Sequence, residues 1–418
     1  MRKGAAYFFL GCGLALLTGA AAGQDVTPVV HVDNPPNLEV QQAKHYVVLV
    51  SLDGFRYDYG SEYATPNLDA MAREGASTPA GMLPSYPSVT FPNHYTLVTG
   101  LRPEHHGIVA MTFTDPDRKE SYSFSDTKKN GDGSWYQGTP LWVLAEQQGM
   151  RSACFFWPGS EAAIDSVRPS YYLHYDESLG DETRIDQVID WLKLPADQRP
   201  HFITLYYPNT DHAGHKYGPD SPEEREAVQH VDAMMGELRE KLKATGLPVD
   251  LIVTADHGMI KLDPTPVVLD KFANLDHFKT EGPLLYADSE ADAEKAYEEF
   301  RAHPDPRFKV YRRLDVPKSL RYDTSAREGD PVVIATGPYS LYAHAPTHPG
   351  NVGSHGFDPH TMPEMKAIFY AAGPDIKAGV KLPSFDNIDV YPFLANLLGL
   401  ETPPVDGEIG PLAAALKK

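Results

Sequence analysis

Three aspartates and three histidines, Asp53, Asp211, His215, Asp256, His257 and His355, are residue types that hold divalent metal ions, and Thr90 offers a hydroxyl to work beside them. Thr90 lies in residues 85–100, Ser-Tyr-Pro-Ser-Val-Thr-Phe-Pro-Asn-His-Tyr-Thr-Leu-Val-Thr-Gly. Pro84 and Pro87 make the approach extended, and Pro92 suits the first turn of a short apolar helix. Thr90 is expected to cap that helix, where free N–H groups and the dipole favour a negative charge. Alone, such a threonine is an ordinary cap. Metal ions change its chemistry, because coordination supplies the deprotonation that makes a hydroxyl a competent nucleophile. Asp211 and His215 are four residues apart, so a helical turn brings both to one ion and points His212 elsewhere. Three Asp and three His divide between two zinc-like ions with three protein ligands each, though manganese, iron or cobalt suit the same donors. Two such ions stabilise the attacking and leaving oxygens of an in-line displacement at phosphorus. The residue types point to a two-metal hydrolase with a threonine nucleophile.

Positioning these groups requires a sheet edge. Residues 46–52, Tyr-Val-Val-Leu-Val-Ser-Leu, form the continuous apolar run of a central parallel strand, and Asp53-Gly54 follows at once. Residues 250–254 repeat the construction and end in Ala255-Asp256-His257-Gly258. Two strand ends that each present a carboxylate imply one shared site at the carboxyl edge, where open α/β folds place ligands. A third strand, 201–207, delivers the Asp211 segment, and His355 precedes a last buried strand at 366–372. A further strand at 152–157 and helical patterns at 66–75, 139–148, 181–194, 222–245 and 390–398 complete an α/β fold: a mostly parallel central sheet with helices on both faces. Residues 262–350 break this rhythm. Short strands at 284–287, 308–312 and 332–335 and a charged helix at 290–302 read as a small α+β insertion that frames the pocket. Residues 115–137 read as an exposed excursion, and His105 and His106 as surface groups or local hydrogen-bonders outside the metal site.

The chain has 418 residues, 42% hydrophobic and 11% aromatic, ample for a sizeable core. Its formal charge of −20 repels polyanions, and no Lys/Arg run makes a groove, so a stable nucleic-acid complex is not expected. An anionic substrate needs local cations, which bound metals supply. Residues 1–22 read as a secretory signal peptide: Arg2-Lys3, an apolar run too short for a comfortable membrane span, then Ala20-Ala21-Ala22. Cleavage near Ala22 implies a periplasmic or secreted protein with no membrane attachment. It also removes Cys12, leaving Cys154 as a buried thiol with no disulfide partner. Residues 23–43 read as a linker and 403–418 as a loosely packed tail. The oligomeric state has no signature.

Six separated motifs, in order, carry a resemblance. They are Leu-Asp53-Gly, Thr90-Phe-Pro-Asn-His-Tyr, Gly-Leu-Arg-Pro-Glu-His-His-Gly-Ile-Val, Asp211-x-x-Gly-His215-x-x-Gly-Pro, Ala-Asp256-His257-Gly-Met and Ser-His355-Gly-Phe-Asp. Together they resemble the nucleotide pyrophosphatase/phosphodiesterase family of the alkaline phosphatase superfamily. The resemblance implies an exported hydrolase with an alkaline-phosphatase-like core over 44–402, two Zn2+ per chain and a small nucleotide or phosphodiester substrate. It assigns one zinc to Asp211, His215 and His355, and the other to Asp53, Asp256, His257 and Thr90. It further implies a phosphothreonine intermediate on Thr90 and a nucleobase slot lined by Phe91, Tyr175 and Tyr206. One position departs: where the family supplies an Asn that donates to a phosphoryl oxygen, this chain has Met111, which cannot donate. A phosphomonoesterase, a choline-type phosphodiesterase and a catalytically silent metal- or ligand-binding protein are the competing expectations.

Overall fold

The computed structural model describes residues 27–417; the leader expected at 1–22 lies outside them. β1 (Val30–His31), β2 (Tyr46–Leu52), β3 (Ala76–Ser77), β4 (Ser152–Phe155), β5 (Tyr171–Tyr172), β6 (Phe202–Tyr207), β7 (Val249–Thr254), β8 (Phe369–Ala372) and β9 (Val380–Lys381) make one sheet in the order β1-β5-β4-β6-β2-β7-β8-β3-β9. β2 is buried at every position because parallel strands flank it on both sides, which is why its sequence does not alternate. The sheet is mixed. It is parallel through β5, β4, β6, β2 and β7, and turns antiparallel where β8 joins β7.

Register makes the site. Leu52 pairs with Tyr207 and Ser51 with Thr254, so three parallel strands end level with one another. Asp53, the turn before Asp211 and the Ala255-Asp256 pair therefore leave the sheet at one edge. Phe369 pairs with Thr254 in the antiparallel direction, so β8 begins at that edge too, downstream of His355. Helices Pro66–Glu74, Asp181–Leu192 and Pro222–Ala244 form one covering layer, and Thr90–Thr99, Leu141–Gln147 and Val390–Leu398 the other. No helix among the described residues is long and apolar enough to cross a membrane. Cys154 is fully buried in β4.

Residues 267–343 carry an apolar cluster of their own, which includes Leu285, Phe300, Phe308 and Val333. Around it, Phe278–Glu281 pairs with Leu284–Ala287, Phe308–Tyr311 pairs with Val332–Ala335, and Glu290–Ala302 packs alongside. Arg327 ties this region to the core: its guanidinium donates to Asp115 (2.9 Å) and to the Gly107 and Trp135 carbonyls.

Three segments differ from their sequence reading. The 27–43 part of the expected linker is bound to the sheet: β1 pairs with β5, and buried Asn37 donates to the Ala196 and Arg199 carbonyls while accepting from the Arg151 N–H. A two-residue edge strand is too short to show a period, and a side chain fastening backbone leaves no pattern at all. The 403–418 tail turns back as a 3-10 helix, Gly410–Ala415, that buries Leu412 and Ala415 completely. The 115–137 excursion begins in a hairpin, Thr112–Asp115 with Glu120–Ser123, and continues through a short helix, Thr127–Asn130, and a 3-10 turn, Gly133–Trp135. Phe113 stacks on Tyr122 with centroids 5.0 Å apart and Trp135 is fully buried beside them, so its polar surface hides three core aromatics.

Candidate metal centre and nucleophile

Asp53 is brought against the helix Asn209–Tyr217 by the glycine that follows it. Gly54 has φ +69°, and a Cβ there would lie 2.9 Å from the Asp211 Cα, so only glycine lets the two segments meet. The Gly54 N–H donates to Asp256 Oδ1 at 3.2 Å, which joins the ends of β2 and β7. Asp53 Oδ2 accepts the Tyr206 hydroxyl at 2.6 Å, and the Thr210 hydroxyl donates to the Asp53 carbonyl. Asp211 and His215 share a face of their helix, with Oδ1 and Nε2 3.3 Å apart. His212 points to Glu177 instead.

The three histidines are oriented alike. Nδ1 of His215 lies 2.9 Å from the Gly353 carbonyl, Nδ1 of His257 2.9 Å from the Gly258 carbonyl, and Nδ1 of His355 2.9 Å from the Ser88 carbonyl. A carbonyl only accepts, so Nδ1 carries the proton and Nε2 is left with a lone pair. Asn351 Nδ2 also lies 2.9 Å from His215 Nδ1, but the Gly353 carbonyl fixes that nitrogen as the donor. These lone pairs face other acceptors. Nε2 of His215 and His355 are 3.1 Å apart, with Asp211 Oδ1 3.3 and 3.5 Å from them; His257 Nε2 is 2.9 Å from Asp256 Oδ2 and 3.6 Å from Asp53 Oδ1.

Acceptors converging on acceptors repel unless a cation lies between them. Asp53 Oδ1, Asp211 Oδ1 and Asp256 Oδ2 are all buried, and none has a hydrogen-bond partner among the described residues. Burial, then the Asp256 and Asp211 carboxylates, push Asp53 well above the usual carboxylate range, and burial also raises Asp211. Burial works the same way on Asp256, but positive charge beside it overcomes that and holds the carboxyl low. Burial in turn would lower His257, but Asp256 raises it, so without an ion a proton on His257 is what offsets these acids. Burial and the neighbouring His257 and His215 rings push His355 well below the usual imidazole range, which removes protonation as the remedy there. The donor set fits divalent cations. Asp211, His215 and His355 form one group of converging ligand atoms, and Asp53, Asp211 and His257 another.

Thr90 Oγ1 lies 3.3 Å from His257 Nε2. It does not cap its helix: Thr90 is the first residue of Thr90–Thr99, Val89 takes the cap position, and no side chain closes that end. The hydroxyl is thereby left facing the metal ligands at the N-terminal end of the helix. Its second N–H, that of Phe91, points at Met111, whose sulfur accepts it at 3.3 Å.

Several supporting residues carry no separate signal in the sequence. Ser88 Oγ donates to the Phe357 carbonyl (2.8 Å) and accepts from the Gly356 N–H (3.1 Å), so the threonine loop and the His355 loop hold each other. Asn93 donates to the Pro87 and Val89 carbonyls and accepts from the Ser85 N–H, which fixes the approach to Thr90. His94, one turn after Thr90, lies near Asp53 and Asp256, yet its nitrogens are engaged: Nδ1 donates to the Thr90 carbonyl (2.9 Å) and Nε2 faces Ser51 Oγ (2.8 Å). Its spacing of four from Thr90 was the available clue. Of the two histidines expected as surface groups or local hydrogen-bonders, His106 is fully buried with Nε2 3.0 Å from the Thr96 hydroxyl, and His105 pairs with Asp406. The aromatic residues fall into two edge-to-face pairs: Phe91 with Phe124 at 5.6 Å, and Tyr206 with Tyr175 at 6.3 Å. Phe124, from the hairpin taken for an excursion, was missed. Tyr206 has a second partner in Asp53, so it steadies a carboxylate as well as offering a ring.

The family model for type I phosphodiesterase / nucleotide pyrophosphatase matches residues 47–358. The human ectonucleotide pyrophosphatase/phosphodiesterase family member 1 is 37% identical over 389 residues, 88% of this chain and 42% of that protein. An uncharacterized pyrophosphatase/phosphodiesterase of Schizosaccharomyces pombe is 36% identical over 383 residues, 86% of this chain and 78% of that one. The chain thus spans less than half the length of the mammalian relatives it matches. Among solved structures, murine ectonucleotide pyrophosphatase/phosphodiesterase 5, an inactive Thr-to-Ala variant in complex with AMP, superposes with a TM-score of 0.84 at 30% identity, covering 90% of this chain and all of that one. The matched span contains Asp53, Thr90 and His355 alike, and on these grounds the chain belongs to the type I phosphodiesterase / nucleotide pyrophosphatase family, within the alkaline phosphatase superfamily.

Proposed function

We propose that this chain is an exported enzyme that hydrolyses phosphodiester and pyrophosphate bonds of nucleotides through a phosphothreonine on Thr90. The observation that carries the reading is Thr90 Oγ1 at a helix N-terminus, 3.3 Å from His257 and beside unpartnered carboxylates. The murine relative adds weight, since its Thr-to-Ala variant is described as inactive and was solved with AMP. Asp211, His215 and His355 would hold one zinc, and Asp53, Asp256, His257 and Thr90 the second. When bound, such a pair supplies Lewis-acid stabilisation of the oxygens that gain charge in the displacement. The chain's own residues do the rest. Thr90 Oγ1 bonds to phosphorus as the ester oxygen departs, and a water oxygen then displaces Thr90 from the far side. Two inversions give net retention at phosphorus. Phe91 and Phe124, with Tyr175 and Tyr206, offer ring faces to a nucleobase, which favours breadth over choice of base. Tyr206 holds Asp53 in place.

Three substrates test the reading against its rivals. The nitrophenyl ester of thymidine 5′-monophosphate is expected to exceed nitrophenyl phosphate and nitrophenyl phosphocholine in kcat/KM by about tenfold or more. Preference for the phosphate would mark a monoesterase, preference for the phosphocholine a choline-type enzyme, and turnover of none a silent binding protein.

Met111 bears on rate. Its sulfur occupies the Phe91 N–H, a backbone donor next to Thr90, and supplies no donor in return. Met111→Asn frees that N–H and adds a side-chain donor. One oxyanion donor is worth on the order of 10²–10³ in rate when fully formed, so the variant is expected to raise kcat/KM on the thymidine diester at least tenfold. Unchanged turnover and selectivity would show that Met111 plays no part in oxyanion recognition.

A further inference from the structure

A cavity of about 480 Å³ opens beside the metal-ligand cluster, between the core and residues 281–342. Its volume is that of a small-molecule site. Val89, which precedes Thr90, and His355, one of the converging ligands, are among its lining residues with Met111 and Gly356, so it reaches the neighbourhood of the Thr90 hydroxyl. Phe91, Phe124, Tyr175 and Tyr206 do not line it. It is thus separate from the rings offered to the nucleobase, and it is open to the other substituent on phosphorus.

The walls define that substituent. Tyr86, Tyr322 and Phe357 line the cavity with Tyr339, Leu341 and Tyr342. Tyr86 and Tyr322 meet edge to face at 5.2 Å; Tyr322 is almost wholly buried, and the partly open rings are those of Tyr86, Tyr339 and Tyr342. Among the described residues no Lys or Arg lines the cavity, and its acidic groups are Glu281 and Glu328. Glu281 accepts from the Ser121 and Thr114 hydroxyls, partners that suit a carboxylate. Burial pushes Glu328 up to about 9, so at neutral pH it is an uncharged acid. A diphosphate entering here would meet no Lys or Arg on the cavity wall, the nearby Lys279 being engaged with Ser121 and 3.9 Å from Glu281, whereas a ring would stack.

We propose that this cavity is the leaving-group subsite and that it selects an uncharged, ring-bearing alcohol, such as a second nucleoside, over a phosphate chain. The proposal rests on the diesterase reading above and names the bonds that the site takes best. In the preferred reaction the thymidylyl phosphorus passes to Thr90 Oγ1 while the bond to the second nucleoside's oxygen breaks and that oxygen takes a proton. Water then releases the nucleotide.

The test compares two substrates that deliver the same thymidylyl group to the metal-replete enzyme. Thymidylyl-thymidine releases thymidine, and thymidine triphosphate releases pyrophosphate. The kcat/KM for the dinucleoside monophosphate is expected to be at least tenfold the higher. Thr112→Lys, from the hairpin side, and Ala335→Lys, from the opposite wall, each put an ammonium group at the cavity and are expected to shift the ratio toward the triphosphate by about tenfold. The two positions lie on different elements, so misfolding of one variant leaves the other to decide. Equal or greater efficiency on the triphosphate in the wild type, or a ratio that neither lysine moves, overturns the subsite and leaves the diesterase reading standing. Turnover of neither substrate overturns the diesterase reading, and the subsite with it.

Discussion

Thr90→Ala is expected to lower kcat for diester hydrolysis by about 10⁴-fold or more while leaving fold and metal content intact. Removal of a nucleophile acts on the whole covalent route, and losses of this order follow when such a residue is deleted from an active-site unit. The structural side should be small. Thr90 Oγ1 has one contact, His257 Nε2 at 3.3 Å, it caps nothing, and alanine is the better helix former. Asp53, Asp211, Asp256 and the three histidines keep every carbonyl and hydroxyl that orients them. Metal analysis should give the same stoichiometry as the wild type, and thermal unfolding the same midpoint within a degree or two. Acid quenching during wild-type turnover should trap phosphate on Thr90 and on no residue of the variant. A variant that retains a tenth of the activity, or a wild type that traps no phosphoenzyme and inverts configuration at phosphorus, would remove Thr90 from the covalent role and leave direct attack by water.

What the sequence disclosed about this arrangement follows from the physics of each segment. β2 was legible because a strand flanked by parallel neighbours and buried on both faces is apolar throughout, and it stops at Asp53. β7 was legible from its Leu-Ile-Val centre and from Asp256 two residues past its end, although buried Asp250 interrupts its apolar run. The Asp211–His215 pair was legible because a helix puts residues four apart on one face. Order along the chain could not show that the strand ends lie level: that depends on Leu52 pairing with Tyr207 and Ser51 with Thr254. The hairpin at 112–123 was illegible for a different reason. Its polar face dominates the composition, while the aromatics that matter, Phe113, Tyr122, Phe124 and Trp135, are scattered singly. Thr90 misled through a general preference. Threonine favours caps, but here the extended Val89 takes that position, and the hydroxyl turns to the ligand cluster instead. The chain forgoes a capping hydrogen bond of about 1 kcal/mol at the place where the hydroxyl is needed for chemistry. Local preference and global fold conflict there, as they do at functional sites.

Asp53→Asn is expected to change stability in opposite directions with and without metal, which makes it the sharper test of the ligand cluster. Asn keeps the shape of Asp and an oxygen for the Tyr206 hydroxyl, now 2.6 Å from Oδ2, so the steric and hydrogen-bonding frame survives. What it removes is one of three carboxylates buried together, Asp53, Asp211 and Asp256, exposed by only 1%, 8% and 0%. In protein stripped by a chelator these charges repel in a medium that screens them poorly. The substitution should then stabilise the stripped protein by roughly 1–4 kcal/mol, the gain found when buried charged groups give way to uncharged ones of similar volume. In loaded protein the sign reverses. A ligand present at about a thousand times its dissociation constant contributes about 4 kcal/mol to the folded state, so stripping should lower the wild-type midpoint by roughly 5 °C or more. Asn is a neutral and weaker donor, so the gap between loaded and stripped variant should shrink by half or more, with activity reduced on the order of 10²–10³. Calorimetry on four samples, wild type and variant, loaded and stripped, reads both signs at once. If the variant is destabilised equally in both states, Asp53 is a structural carboxylate whose hydrogen bond was what mattered. If chelation moves neither protein's midpoint, no cation holds these acids together. The crossing of the two effects is specific to a carboxylate that is harmful to the fold alone and favourable with its ion, because loss of packing or of a hydrogen bond would lower both curves.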